Sequence, residues 1–268
     1  MDCTRNELTI KKELRNYFKQ LGIEFHSNTK ALGHQGFCRA NRIDISKNTP
    51  DSRIIPVMLH EFAHYILFSL NSTPKSQNLE PIFGENSEAL HSELLLVTNF
   101  VDENSTFKKL ITQKETIKEN IKYHENIIKQ KYPSFKRSQE FKPFSRFSRF
   151  SDIKYLLKHD AVKVLSWFTF KTYSIMNLEK DFENVPQEFV SYLKLRSFMR
   201  KQKTITNKIN KMQKYYNEPS ELFSRFVEGL YINKDHIKEI APNCYKKFFE
   251  NIDNIPNLKQ ALIIAEVV

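Results

Sequence analysis

The stretch Val57-Met58-Leu59-His60-Glu61-Phe62-Ala63-His64-Tyr65 decides how the rest of the chain is read. The residues around the two histidines and the glutamate are uncharged, which predicts a buried helix over about 52–70. Positions four apart share a helix face, so the imidazoles of His60 and His64 can converge on one cation. Glu61 sits one step round, close enough to take a proton from water at that cation but angled away from ligating it. Polar groups inside an apolar helix are costly without a partner, and a metal ion, Zn2+ first, is the partner this spacing suits. The bland alternative is a satisfied pair of core histidines beside a surface glutamate.

Working outward, Leu8, Leu14, Phe18 and Leu21 keep helical spacing over 5–21, and Gly22 closes that helix. Residues 23–28 and 37–46 are rich in β-formers and predict two strands, with Gly33-His34-Gln35-Gly36 between them. Ile43 and Ile45 alternate with Arg42, Asp44 and Ser46, the pattern of a half-buried strand. After the loop 47–52, Ser52 is the expected N-cap, with Pro56 in the first turn, and Asn71-Ser72-Thr73-Pro74 ends the helix. Further helices are expected at 85–102, 106–131, 152–178, 187–216 and 220–231, with a last helical stretch around 245–252. Residues 134–151 read as a loop after Pro133. The expected class is therefore α+β and predominantly helical, with a small sheet beside the motif-bearing helix.

The run 57–65 looks like the active-site helix of the zincin metallopeptidases, and two short strands ahead of it match that layout. The resemblance implies a zincin-like core, hydrolysis of peptide bonds in a protein or peptide substrate, His60 and His64 as zinc ligands and Glu61 as general base. A third protein ligand is needed to leave one position for water. No third histidine follows His64 at short range, so the site resembles a gluzincin, with a carboxylate supplied by a later helix. Two candidates compete. Pro219-Ser220-Glu221-Leu222-Phe223-Ser224-Arg225-Phe226-Val227-Glu228 resembles the second motif of zincin-like domains in phage and plasmid polyvalent proteins, departing by Ser224 where alanine is usual. That likeness implies Glu221 as the ligand. Glu88 lies in Glu85-Asn86-Ser87-Glu88-Ala89-Leu90-His91, at a spacing from His64 similar to compact gluzincins and ImmA/IrrE-type peptidases. Glu221 is favoured because more of its flanking positions match. The resemblance covers 23–70 and 213–250.

Charge divides the chain. Residues 104–215 hold 25 Lys+Arg against 10 Asp+Glu, whereas the remainder holds 17 against 21, out of a net +11 for 268 residues. Two compositions in one chain predict a core, 1–103 and 213–268, interrupted by a basic, mainly helical insertion over 104–212. Such an excess suits an acidic partner or nucleic acid. A second reading of the protein follows: a mobile-element accessory protein that keeps a zincin shell but acts by binding nucleic acid or a partner through this insertion. The stretch Phe144-Ser145-Arg146-Phe147-Ser148-Arg149-Phe150 interleaves cations with aromatics as single-strand-binding surfaces do, or else is a loop whose rings anchor it while its arginines stay wet.

Cys3, Cys38 and Cys244 are odd in number and scattered, which predicts reduced thiols and no thiolate metal site. The first residues lack a signal-peptide core, and no apolar run is long enough to span a bilayer, so a cytoplasmic protein without a membrane partner is expected. His91 becomes a site residue only if the Glu88 helix lines the metal. Tyr216 and Tyr231 are the tyrosines considered for stabilising an oxyanion. The oligomeric state is not readable from the chain.

Overall fold

The computed structural model describes residues 6–30, 35–71, 78–85, 87–102, 106–166 and 169–268. Cys3, Gly33, His34 and the 72–74 helix terminator lie outside the described residues. The protein is α+β and predominantly helical. In chain order the elements are α1 (Glu7–Gln20), β1 (Glu24–Thr29), β2 (Gly36–Arg39), β3 (Arg42–Ser46), α2 (Asp51–Leu70), α3 (Glu80–Phe83) and α4 (His91–Val101), then α5 (Thr106–Lys131), α6 (Lys142–Phe147), β4 (Ala161–Ser166), β5 (Thr169–Ser174) and α7 (Leu178–Asp181), and finally α8 (Gln187–Tyr216), α9 (Pro219–Ile240), α10 (Pro242–Asn251) and α11 (Pro256–Ile264). Short 3-10 turns occupy Ser87–Leu90, Asp152–Leu157, Ile175–Asn177 and Ile252–Asn254. The chain divides into two compact units, a host unit of residues 1–103 and 213–268 and an inserted unit of residues 104–212. Among the described residues no helix is long and apolar enough to cross a membrane.

The host unit is organised around α2. From Ile55 to His64 every residue of this helix is buried, so it has no solvent face and must be covered all round. Helix α9 packs along it, strands β2 and β3 lie against it, and α1 and α11 complete the cover. Phe62 stacks on Phe18 of α1 at 4.5 Å between ring centroids, and Phe83, Phe226 and Phe248 meet edge to face elsewhere in the same core. The sheet has the order β1-β3-β2, with β1 parallel and β2 antiparallel to β3. Helix α1 is capped by Asn6, whose side chain accepts from Leu8 N at 3.1 Å, and Gly22 follows its end at φ 76°.

Several expectations are corrected. The expected second strand, 37–46, is a hairpin of two strands turning at Ala40-Asn41, with Ala40 at φ 44°. A left-handed alanine is uncommon, and without glycine at that position the turn carries no sequence mark. Asp44 and Ser46 are buried together with Ile43 and Ile45, because β3 is the central strand. Arg42 grips the Asp44 carboxylate through two donors at 2.7 and 2.8 Å, and Thr29 donates to it at 2.8 Å. Helix α2 starts at Asp51 after Pro50, so Ser52 is not its cap, and Pro56 lies inside the helix, where the Ser52 carbonyl loses its usual i+4 donor. The helix expected over 85–102 is a 3-10 turn followed by α4, and the short helix α3, ended by Gly84 at φ 74°, precedes it. Helix α9 runs on beyond 231 to Ile240, interrupted at Asn233, whose side chain accepts from His236 N at 3.0 Å and recaps the next segment.

The inserted unit has its own apolar core, in which Ile117, Ile121 and Ile128 of α5 meet Phe141, Phe144, Phe189 and Leu193. The expected helix over 152–178 is instead a 3-10 turn followed by the antiparallel hairpin β4–β5. Val162 and Val164 alternate with Ala161, Lys163 and Leu165, and β-branched residues on that period favour a pleated surface. The expected loop over 134–151 contains the short helix α6, which buries Phe144.

Candidate metal centre

Helix α2 brings His60 and His64 onto one face with ring centroids 5.0 Å apart. Helix α9 supplies the opposing wall. Pro219 and Ser220 place Glu221 in the first turn of α9, and the packing of α9 on α2 sets its carboxylate between the two imidazoles. Glu221 Oε1 lies 3.0 Å from His64 Nε2, and Oε2 lies 3.6 Å from His60 Nε2. All three side chains are buried, and one donor atom from each falls within 4.8 Å of the others. Donors about 2.0–2.2 Å from a tetrahedral zinc are separated by roughly 3.3 Å, so the three atoms suit a single ion.

A second carboxylate fixes the orientation of His60. Glu228, seven residues and two turns after Glu221 on α9, places Oε2 3.0 Å from His60 Nδ1. Nδ1–H therefore donates to Glu228, which turns Nε2 towards Glu221 as a lone-pair donor, the tautomer a metal ligand needs. Arg53 pairs with the other Glu228 oxygen, and Arg225 reaches Glu228 at 3.4 Å and Asp102 at 3.1 Å. Burial opposes ionisation of Glu228, but the His60 hydrogen bond and the two arginines hold its carboxyl well below the usual range. Glu221 is likewise held down to about 2: burial works against it, and the hydrogen bond from His64, the charges of both imidazoles and the Tyr215 hydroxyl outweigh burial. Glu221 Oε2 is nonetheless buried without a hydrogen-bond partner. A buried acceptor left unpaired beside two imidazoles is an environment that a cation relieves.

Glu61 behaves differently. Burial chiefly, with the negative charges of Glu221 and Glu228 adding and the charge of His60 opposing, pushes its carboxyl up to about 7. Strand β2 closes over it at Gly36, where a Cβ would fall 2.8 Å from Glu61 Oε1 and 2.7 Å from Val57 Cγ1. Only glycine lets the strand approach this far. Cys38, two residues along β2, is a free thiol pushed up to about 12 by burial and by the charge of Glu61.

The other carboxylate candidate lies apart from this cluster. Glu88 is exposed on the 3-10 turn Ser87–Leu90 and takes no part in the cluster, because α4 begins only at His91, which is exposed as well. Of the tyrosines, Tyr231 lies under the influence of Glu7 and Glu266, and Tyr216 sits beside Asp102 with Arg225 over its ring at 5.7 Å. Tyr215 is the tyrosine hydrogen-bonded to Glu221, and burial together with that negative charge raises its pKa. Gly36, Tyr215 and Glu228 are thus the neighbours that motif reading passes over, although the seven-residue step from Glu221 to Glu228 places both on one helix face. Phe68 stacks against His64 at 6.1 Å. Ser224, the departure from the usual alanine, is fully buried with no partner for its hydroxyl. No family model matches the chain, and no curated protein or solved structure is significantly similar to it.

Proposed function

We propose that this protein is a zinc-dependent metallopeptidase with a zincin-like core in its host unit. The observation that carries the reading is the buried His60, His64 and Glu221 set, with His60 turned by Glu228 so that its Nε2 lone pair faces the Glu221 carboxylate. His60 Nε2, His64 Nε2 and the Glu221 carboxylate would hold the ion. Zinc bound there supplies Lewis acidity, which acidifies water and polarises the scissile carbonyl.

The chain's own residues do the remaining work. Glu61, with its carboxyl near neutrality, takes the proton as water adds to the carbonyl carbon, and returns it to the leaving amine as the C–N bond breaks. Glu228 keeps the His60 tautomer fixed throughout. Tyr215, rather than Tyr216 or Tyr231, is the phenol placed beside the cluster and able to donate towards an oxyanion. Strand β2 has one hydrogen-bonded neighbour among the described residues and passes directly over Glu61, so an extended peptide pairing with its other edge would run past the base.

The deciding measurement is the zinc-to-protein ratio after equilibration with zinc and removal of the excess. Wild type and Glu88→Ala should each retain about one equivalent, and Glu221→Ala should lose it. A wild-type chain that holds no zinc, or a Glu221→Ala chain that holds it as well as wild type, sinks this assignment.

A further inference from the structure

We propose that the inserted unit binds single-stranded nucleic acid on the surface around Phe147, Phe150, Tyr155 and Phe170. The inference is independent of the metal centre. It starts from rings that are in the wrong place for a protein core. Phe150 is 94% and Phe170 74% exposed, and Phe147 and Tyr155 are exposed as well. In the repeat over 144–150 Phe144 is buried, Phe147 rests on the core ring of Phe189 at 4.7 Å between centroids with its other side exposed, and Phe150 is left outside.

The four rings belong to one local assembly. Helix α6 leads into the 3-10 turn Asp152–Leu157, whose Ile153 and Leu156 are core residues, and β4 packs on that turn. Arg200 of α8 donates to the Leu157 carbonyl and to Asp160, tying the junction between turn and strand in place. In the hairpin, Val162 and Tyr173 face the core, so their strand neighbours face outward, and Leu165 pairs with Phe170 on that outer face.

Charge identifies the occupant. The inserted unit as a whole holds 24 Lys+Arg against 10 Asp+Glu. Between residues 142 and 174 the acids are Asp152 and Asp160 alone, against 7 Lys+Arg, and Asp160 is already paired with Arg200 and lies 3.7 Å from Lys201. Cations and rings are interleaved. Arg149 lies 5.6 Å from the Phe150 centroid and Lys154 5.2 Å from Tyr155. A single strand offers a charged backbone and unstacked base faces side by side, and meets both kinds of group at once. Duplex bases stack on each other and leave no face for the rings. An anionic membrane favours apolar groups gathered apart from the cations, whereas here most of the exposed rings carry a cation against them or next in sequence.

The test is fluorescence anisotropy of the full chain with labelled oligonucleotides of roughly 20 nucleotides, oligo(dT), oligo(U) and a mixed-sequence duplex. Single strands should bind about tenfold tighter than the duplex or better, with affinity falling steeply as salt rises. The Phe150→Ala/Phe170→Ala chain should lose about tenfold or more in affinity for the single strand while melting like wild type. Preference between oligo(dT) and oligo(U) tells DNA from RNA, and either supports the proposal. Glu61→Gln should bind as wild type does, which separates this outcome from the fate of the peptidase reading. Equal affinity for duplex and single strand, unchanged binding by the ring variant, or binding to phosphatidylserine vesicles with none to oligonucleotides would each overturn it.

Discussion

In the host unit the polar side chains His60, Glu61, His64, Glu221 and Glu228 lie inside, while in the inserted unit the rings of Phe150 and Phe170 lie outside. Both depart from ordinary residue placement, in opposite senses. A buried carboxylate oxygen without a partner asks for a cation, and a solvent-exposed ring with cations around it asks for a flat, anionic ligand. The chain's charge follows the same division, slightly acidic in the host and strongly basic in the insertion. The contrast teaches that the two units are to be probed by different losses: metal and hydrolysis for one, stacking and salt dependence for the other.

The largest expected effect is on hydrolysis. Glu61→Gln should lower peptide cleavage by about 10²–10⁴-fold, the range of a lost general base, while zinc content stays at the wild-type ratio. Loss of zinc from this variant would show that Glu61 does structural work instead. The same residue type then contrasts the two units directly. Phe62→Ala, in a position with no solvent exposure, should cost about 3–5 kcal/mol in urea unfolding, whereas Phe150→Ala should stay within about 0.5 kcal/mol. Comparable costs would erase the distinction between core ring and surface ring.

Next in size, Glu228→Gln removes the charge behind His60 and should weaken zinc binding by roughly 10–100-fold, read by competition with a chelating dye. Gly36→Ala should destabilise by about 1–3 kcal/mol and depress cleavage as well, since the added methyl displaces either Val57 or Glu61. The smallest effect concerns Asp44. Burial would raise its carboxyl, but hydrogen bonds from Arg42 and Thr29 outweigh burial and hold it below the ordinary value. The unfolded chain therefore takes up this proton first as pH falls. The contribution to stability is whole above about pH 3.9 and disappears as pH drops through the lower folded value. Asp44→Asn should flatten that part of an acid-unfolding curve, and an unchanged curve would show that Asp44 contributes nothing to it.

The helices α2, α5 and α8 were readable because each is long and keeps its apolar period, with Pro133 closing α5 and Pro219 opening the next helix. The hairpin β4–β5 was not, since short apolar runs carry no decisive period. The Ala40-Asn41 turn lacks the glycine that marks such turns, and the burial of Asp44 depends on Thr29 from another strand, which sequence order does not reveal. In the site, His60 and His64 share one helix, so their convergence is local geometry. The flanking positions favoured Glu221 over Glu88, but how its carboxylate reaches the imidazoles needed the packing of α9 along α2, a long-range fact, and the closeness of Gly36 to Glu61 needed the sheet.

Asp102 and Tyr216 lie side by side, one on each side of the segment 104–212. Two chain ends that already meet can be joined by a handful of residues at small entropic cost. Every donor and supporting group around His60 comes from outside that segment. The segment 104–212 therefore leaves and re-enters the host unit at neighbouring residues, and its length can change without moving the groups around His60.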